Sequence, residues 1–129
     1  MRLSLSKRTF AMVGAMVAGS AIFAAPQAHA DSYKGCAYPR VCFYLTAADW
    51  QAQSPTAAYQ DVTDYYQNLG SRSRGSTYVF NTRNDDRVML RYLRNGVTGY
   101  ECIEPSTGRQ YPSYFTVTGV MIQSASSCD

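Results

Sequence analysis

The chain has 129 residues, a formal net charge of +3 and one histidine. Residues 31–129 set nine basic against nine acidic side chains, so the positive excess lies in residues 1–30 and a nucleic-acid partner, which needs a basic surface, is not expected. The histidine is at position 29, which leaves residues 31–129 without an imidazole for Ser-His-Asp or Cys-His activation or for a histidine-bearing zinc site.

Arg2, Lys7 and Arg8 precede an apolar run from Phe10 to Ala25, and Ala28-His29-Ala30 is a small-x-small cleavage site. This is the pattern of a secretory signal peptide over residues 1–30, and the run is short for a membrane span. The expected mature protein is residues 31–129: one small extracellular domain, free of membrane and monomeric.

Cys36, Cys42, Cys102 and Cys128 form an even set for an oxidising compartment and read as two disulfides. Three pairings are possible. A turn at Pro39-Arg40 favours Cys36–Cys42, which leaves Cys102–Cys128 to tie the final strand to the central one. On the chain-entropy estimate each bridge contributes roughly 2–4 kcal/mol. A four-cysteine zinc site wants a close pair at each end, and Cys102 and Cys128 are too far apart to form one.

Val41 to Leu45 reads as a first strand, followed by Thr46 as a helix cap with Asp49 placed for a short capping box. Trp50, the one tryptophan, is expected as a core or hairpin-corner anchor rather than a ligand platform. Ala57 to Leu69 carries two periods. Tyr59, Val62, Tyr66 and Leu69 have helical spacing while Ala58, Gln60 and Val62 alternate, and the reading is a strand over 57–62 and a helical turn over 63–69. Gly70 to Gly75 is a polar loop whose Arg72 and Arg74 are expected in solvent.

The central stretch runs from Ser76 to Cys102. Thr77 to Phe80 is β-branched and aromatic, and Arg87 to Leu93 alternates, with Val88, Leu90 and Tyr92 on one face and Arg87, Met89 and Arg91 on the other. Asn84-Asp85-Asp86 is a turn between these strands, and Asn95-Gly96 suits a tight turn that needs positive φ. Glu104 to Gly108 is turn-forming. Tyr114 to Gln123 is the last strand, in which a bulge near Gly119 would bring Val120 and Ile122 inward alongside Val117. The fold predicted is all-β, a small antiparallel β-sandwich. All eleven tyrosines lie in residues 31–129 and suit either a half-wet core or a recognition surface.

Cys42-Phe43-Tyr44 after Cys36, the run Ser76-Thr77-Tyr78-Val79-Phe80-Asn81, Val88-Met89-Leu90 and Cys102-Ile103-Glu104-Pro105 together resemble the Streptomyces-type metalloproteinase inhibitor family. The likeness spans most of residues 36–128. It implies a βγ-crystallin-like fold of two Greek keys, no catalysis, and inhibition of a secreted, thermolysin-like metalloprotease. The inhibitory region implied is Tyr100, Glu101, Cys102, Ile103, Glu104 and Pro105, a loop stiffened by its disulfide and proline, with Ile103 entering the protease's apolar pocket. Read without the family, Cys102-Ile103 is a bridged strand end with a buried isoleucine. Two departures stand out. Trp50-Gln51-Ala52 has alanine where the crystallin hairpin has glycine, and Asn84-Asp85-Asp86-Arg87-Val88 has the acids of the calcium variant without its hydroxyls, so no cofactor or metal is expected.

The alternative function is a non-catalytic binding or killer-toxin-like module acting on cell-surface polymers. It would use the stripe Arg87, Arg91, Tyr92 and Arg94, unless those arginines simply meet nearby carboxylates on a wet strand face. An enzyme would have to use Asp61/Asp64 or Glu101/Glu104, pairs whose spacing alone does not bring them into a cleft.

Overall fold

The computed structural model describes residues 32–129; the expected signal peptide lies outside them. The described chain is all-β, with two four-stranded antiparallel sheets and one short helix. The first sheet runs in the order β2 (Ala57–Tyr59), β1 (Val41–Tyr44), β4 (Tyr78–Asn81), β7 (Thr107–Gln110). The second runs β3 (Gln67–Asn68), β8 (Phe115–Gln123), β5 (Arg87–Arg94), β6 (Val97–Ile103). Each half of the chain therefore lends its third strand to the other half's sheet: β3 edges the second sheet and β7 the first. Neither sheet is complete without both halves, so among the described residues the layer between the sheets is built by both halves together.

Val41, Phe43 and Val79 of the first sheet meet Val88, Leu90, Ile103, Val117, Val120 and Ile122 of the second, all with no exposed surface. The alternation in β5 places Val88 and Leu90 in this layer and turns Met89 and Arg91 outward. β1 is buried along its whole length because its other face is covered too. Cys42 and Tyr44 pack there with Cys36 beneath Trp50, Tyr78 and Phe80. The predicted bulge in β8 is present. Gly119 pairs with Arg91 and Val117 with Tyr92, so Thr118 is the extra residue and Val117, Val120 and Ile122 all face inward.

Asn95 and Gly96, at φ 51° and 81°, make the tight β5–β6 turn. α1 (Ala47–Gln51) starts on the predicted capping box, in which Thr46 Oγ1 accepts from the Asp49 N–H and the Asp49 carboxylate accepts from the Thr46 N–H.

Three expectations are corrected. Residues 63–69 are not helical. From Val62 to Leu69 the chain runs beside β8, where the Thr63 N–H reaches the Ile122 carbonyl, Gln67 and Asn68 pair with Val120 and Gly119, and the Leu69 N–H reaches the Thr118 carbonyl. A helix would turn those amides back on itself and leave the β8 edge bare. The strand over 57–62 stops at Tyr59. Residues 107–110, of which the first two fall in the turn expected over 104–108 and the others carry no expectation, form β7, whose strand character comes from hydrogen bonds to β4 rather than from apolar side chains.

Both favoured disulfides are present, Cys36–Cys42 and Cys102–Cys128, with no free cysteine among the described residues. Such a pair suits an extracellular or otherwise oxidising environment. Cys102 lies on edge strand β6, so the second bridge ties the C-terminal tail to an edge and not to a central strand. No helix among the described residues is long and apolar enough to cross a membrane.

The chain crosses between the sheets five times, and Asn81 serves the crossings after β4 and after β6. Its buried amide donates to the carbonyls of Asp86 and Glu104, and its Oδ1 accepts the Arg83 N–H. Around it, Thr82 Oγ1 donates to the Arg40 carbonyl at 2.7 Å, and the Arg83 guanidinium grips Asp86 at 2.6 Å and donates to the Pro39 carbonyl. Removing Asn81's side chain strands buried polar groups on three segments. Asn81→Ala is therefore expected to lower the unfolding free energy by about 2–4 kcal/mol, read from urea midpoints with both disulfides intact. An unchanged midpoint would show that Thr82 and Arg83 hold the crossing by themselves.

Candidate functional site

Register against β5 decides which way each residue of the 100–105 segment faces. Tyr100 and Cys102 lie opposite Arg91 and Met89 on the outer face, whereas Glu101 and Ile103 lie opposite Leu90 and Val88 on the inner one. Ile103 consequently has no exposed surface and sits in the core. This corrects the expectation that it fills a protease pocket and upholds the reading of a bridged strand end with a buried isoleucine. Tyr100 is the outward side chain, 58% exposed, with the Tyr66 ring 5.5 Å away and the Arg91 guanidinium lying over Tyr66.

The segment is strand through Ile103 and turns only at Pro105 and Ser106. Its fastenings are many. Glu101 pairs with Arg109 at 2.5 Å and accepts from the Tyr111 hydroxyl at 3.4 Å, linking β6 to β7. Cys102 is bridged to Cys128, and the Glu104 carboxylate accepts the Cys128 N–H at 3.1 and 3.2 Å. The Ser106 N–H donates to the Arg83 carbonyl and Thr107 Oγ1 to that of Pro105. The outer edge of β6 pairs with no strand among the described residues.

The arginine stripe is not paired as expected. Arg87 donates to the Gln123 side chain and the Ser127 carbonyl, and Arg91 to Thr118 and Asn68, while Arg94 stacks on Tyr114 and Phe115. Their partners are amides, carbonyls, a hydroxyl and rings, not carboxylates. Tyr92 leaves the stripe altogether and packs inward on Phe115.

Nor do the carboxylate pairs converge. Asp61 and Asp64 are exposed, and Glu101 and Glu104 are each held by the separate partners named above. Among the described residues no three His, Cys, Asp or Glu side chains gather to hold a metal, and Asp86 is taken by Arg83.

A second feature lies on the outer face of the first sheet. Tyr78 and Phe80 alternate onto that face from β4, and the Trp50 ring stacks on Tyr78 at 4.7 Å and 6°. Tyr33 tilts against Phe80 at 4.8 Å. With Gly108 and Gln110 of β7 these rings line a cleft of about 330 Å³. Trp50 is thus the expected anchor, half-buried over the Cys36–Cys42 cluster, and also part of a cleft wall. Sequence reading missed this constellation, although the close cysteine pair, which brings Tyr33 back onto β1, and the alternation of Tyr78 and Phe80 both pointed to it.

No family model, curated protein or solved structure matches this chain.

Three phenols, Tyr44, Tyr66 and Tyr111, are held above the ordinary tyrosine range, and Tyr44 and Tyr111 are the buried ones. Burial, with a smaller contribution from Tyr33, pushes the Tyr44 hydroxyl from 10.0 to about 12, and that hydroxyl donates to the Lys34 carbonyl. Tyr111 is raised further, first by burial and then by the Glu101 charge. A group raised in the folded state holds its proton there after the unfolded chain has lost it. Its stabilisation is complete below pH 10 and is lost as the pH rises toward the folded value, near 12 for Tyr44. Urea midpoints should be level up to pH 10 and fall beyond it, and Tyr44→Phe should make that fall shallower. A midpoint that stays level beyond pH 10 contradicts the assignment.

Proposed function

We propose that this chain is a secreted peptidase inhibitor that occupies the cleft of a thermolysin-like metalloprotease with the segment Tyr100–Pro105. The observation that carries the reading is that this segment is an edge strand, unpaired along one side and fixed at Glu101, Cys102 and Glu104. Peptidases take substrates as extended chains whose main-chain groups add to a strand edge. A strand already held in that form loses little ordering entropy on docking, and the Cys102–Cys128 bridge would keep cut ends together. The exchange of third strands between two four-strand halves is what a βγ-crystallin-like pair of Greek keys would produce, which supports the same family reading.

In this reading the anchor is Tyr100, whose exposed ring leans on Tyr66 and would leave it to enter an apolar pocket, while Glu101 and Ile103 set its posture from behind. The test is titration of thermolysin-like, subtilisin-like and papain-like proteases with purified protein, following residual activity. Stoichiometric loss is expected in the first group. Tyr100→Ala should weaken it about 10- to 100-fold, the range of an interface hot spot, without altering the melting temperature. Full activity in all three groups, or equal potency of the variant, would overturn the proposal. Ile103→Asp is no test, because a charge placed in the core would unfold the domain.

A further inference from the structure

The aromatic cleft on the first sheet makes no contribution to the peptidase reading, and its chemistry is of another kind. Its rings come from three separate parts of the chain, and each is held in place before any ligand arrives. Tyr33 sits on a turn closed by reciprocal backbone bonds with Cys36, at 3.0 and 2.8 Å, and fastened by Cys36–Cys42. Trp50 rides on the capped helix, with Tyr44 set edge-on beneath it at 5.0 Å, and Tyr78 and Phe80 are fixed by pairing with β1 and β7. Gly108 completes the wall. A Cβ there would stand 2.8 Å from Phe80 Cδ2, so any other residue would displace the ring.

The polar groups at the rim are unspent. The Trp50 indole N–H, the hydroxyls of Tyr33 and Tyr78 and the side-chain amide of Gln110, which lies opposite Tyr78, make no hydrogen bond among the described residues, and none of the four residues is buried. Of the charges at the cleft, Arg109 is matched by Glu101, and the Lys34 ammonium, which has no carboxylate partner among the described residues, lies over the Trp50 ring at 5.1 Å from its centroid. The cleft therefore asks for a neutral ligand with apolar C–H patches for the rings and groups that both give and accept hydrogen bonds.

We infer that the cleft binds a neutral oligosaccharide. A sugar ring offers polarised C–H bonds to the negative faces of aromatic rings. Its hydroxyls act as donor and acceptor at once, as the phenols and the Gln110 amide require. A volume of about 330 Å³ is at the small end for ligand sites and suits a short stretch of such a chain. A proline-rich peptide is the main competitor for aromatic grooves, but its prolines carry no N–H and would leave the Gln110 carbonyl unanswered.

Trp50 is the only tryptophan, so its emission reports on this cleft alone. The disulfide-bonded protein is titrated with cellotetraose, chitotetraose, laminaritetraose and a proline decapeptide, following that emission. At least one tetrasaccharide should give a saturable change that added salt leaves intact. Tyr33→Ala and Gln110→Ala should each weaken it about 10-fold, with an unchanged far-UV spectrum. Tyr100→Ala should bind as the parent does, which separates this site from the inhibitory edge. No saturable change with any tetrasaccharide, a response to the peptide alone, or both rim variants binding as the parent would overturn the inference.

Discussion

Asn81 joins the two sheets where the chain passes from one to the other. Its amide donates to the start of β5 and to the end of β6, while its carbonyl oxygen receives the amide of Arg83. In a low-dielectric interior a polar side chain is tolerable only when its bonds are met, and here meeting them fixes three chain segments at once. Arg83 and Asp86 close over the cluster, and Thr82 fastens it to Arg40 ahead of β1. The apolar core supplies the driving force for the two sheets to meet. The Asn81 cluster specifies how they meet, because an apolar layer alone would accept several offsets.

The rigidity of the candidate site follows from that junction. The Glu104 carbonyl accepts from the Asn81 amide and the Glu104 carboxylate from the Cys128 N–H, so the end of β6 is held from the interior and from the tail together. One residue pair earlier, Glu101 and Arg109 bind the edge of the second sheet to the edge of the first. What is left exposed along β6 is main chain and the side chains of Val97, Thr98 and Tyr100, the last leaning on Tyr66. The exchanged strand β7 serves the other face as well, since its Gly108 and Gln110 form the wall opposite the aromatic rings. Both candidate surfaces thus depend on a strand, β7, that sequence reading did not find.

Much of the fold could be read directly. The alternation of Arg87 to Leu93, the Asn95-Gly96 turn, the Thr46/Asp49 cap and the phase change in β8 each rest on interactions within a few residues or on one buried face, so short-range pattern carries them. The disulfide pairing followed from one close cysteine pair beside a turn. The candidate site was less legible. Ile103 follows a cysteine and stands two residues before a proline, and local sequence does not say which side of a strand faces a core that distant residues build.

The sequence by itself determined that the domain is β, that two sulfur bridges fasten it, that residues 31–129 contain no imidazole, and, to within a residue at each end, where β1, β4, β5 and β8 run. Only the tertiary structure decided that β3 and β7 change places between sheets, that Ile103 faces inward and Tyr100 outward, and that four aromatic rings share one cleft. The division has a physical cause. Strand period and turn chemistry act between neighbours along the chain, whereas register, exchange and cleft shape depend on pairing partners tens of residues away.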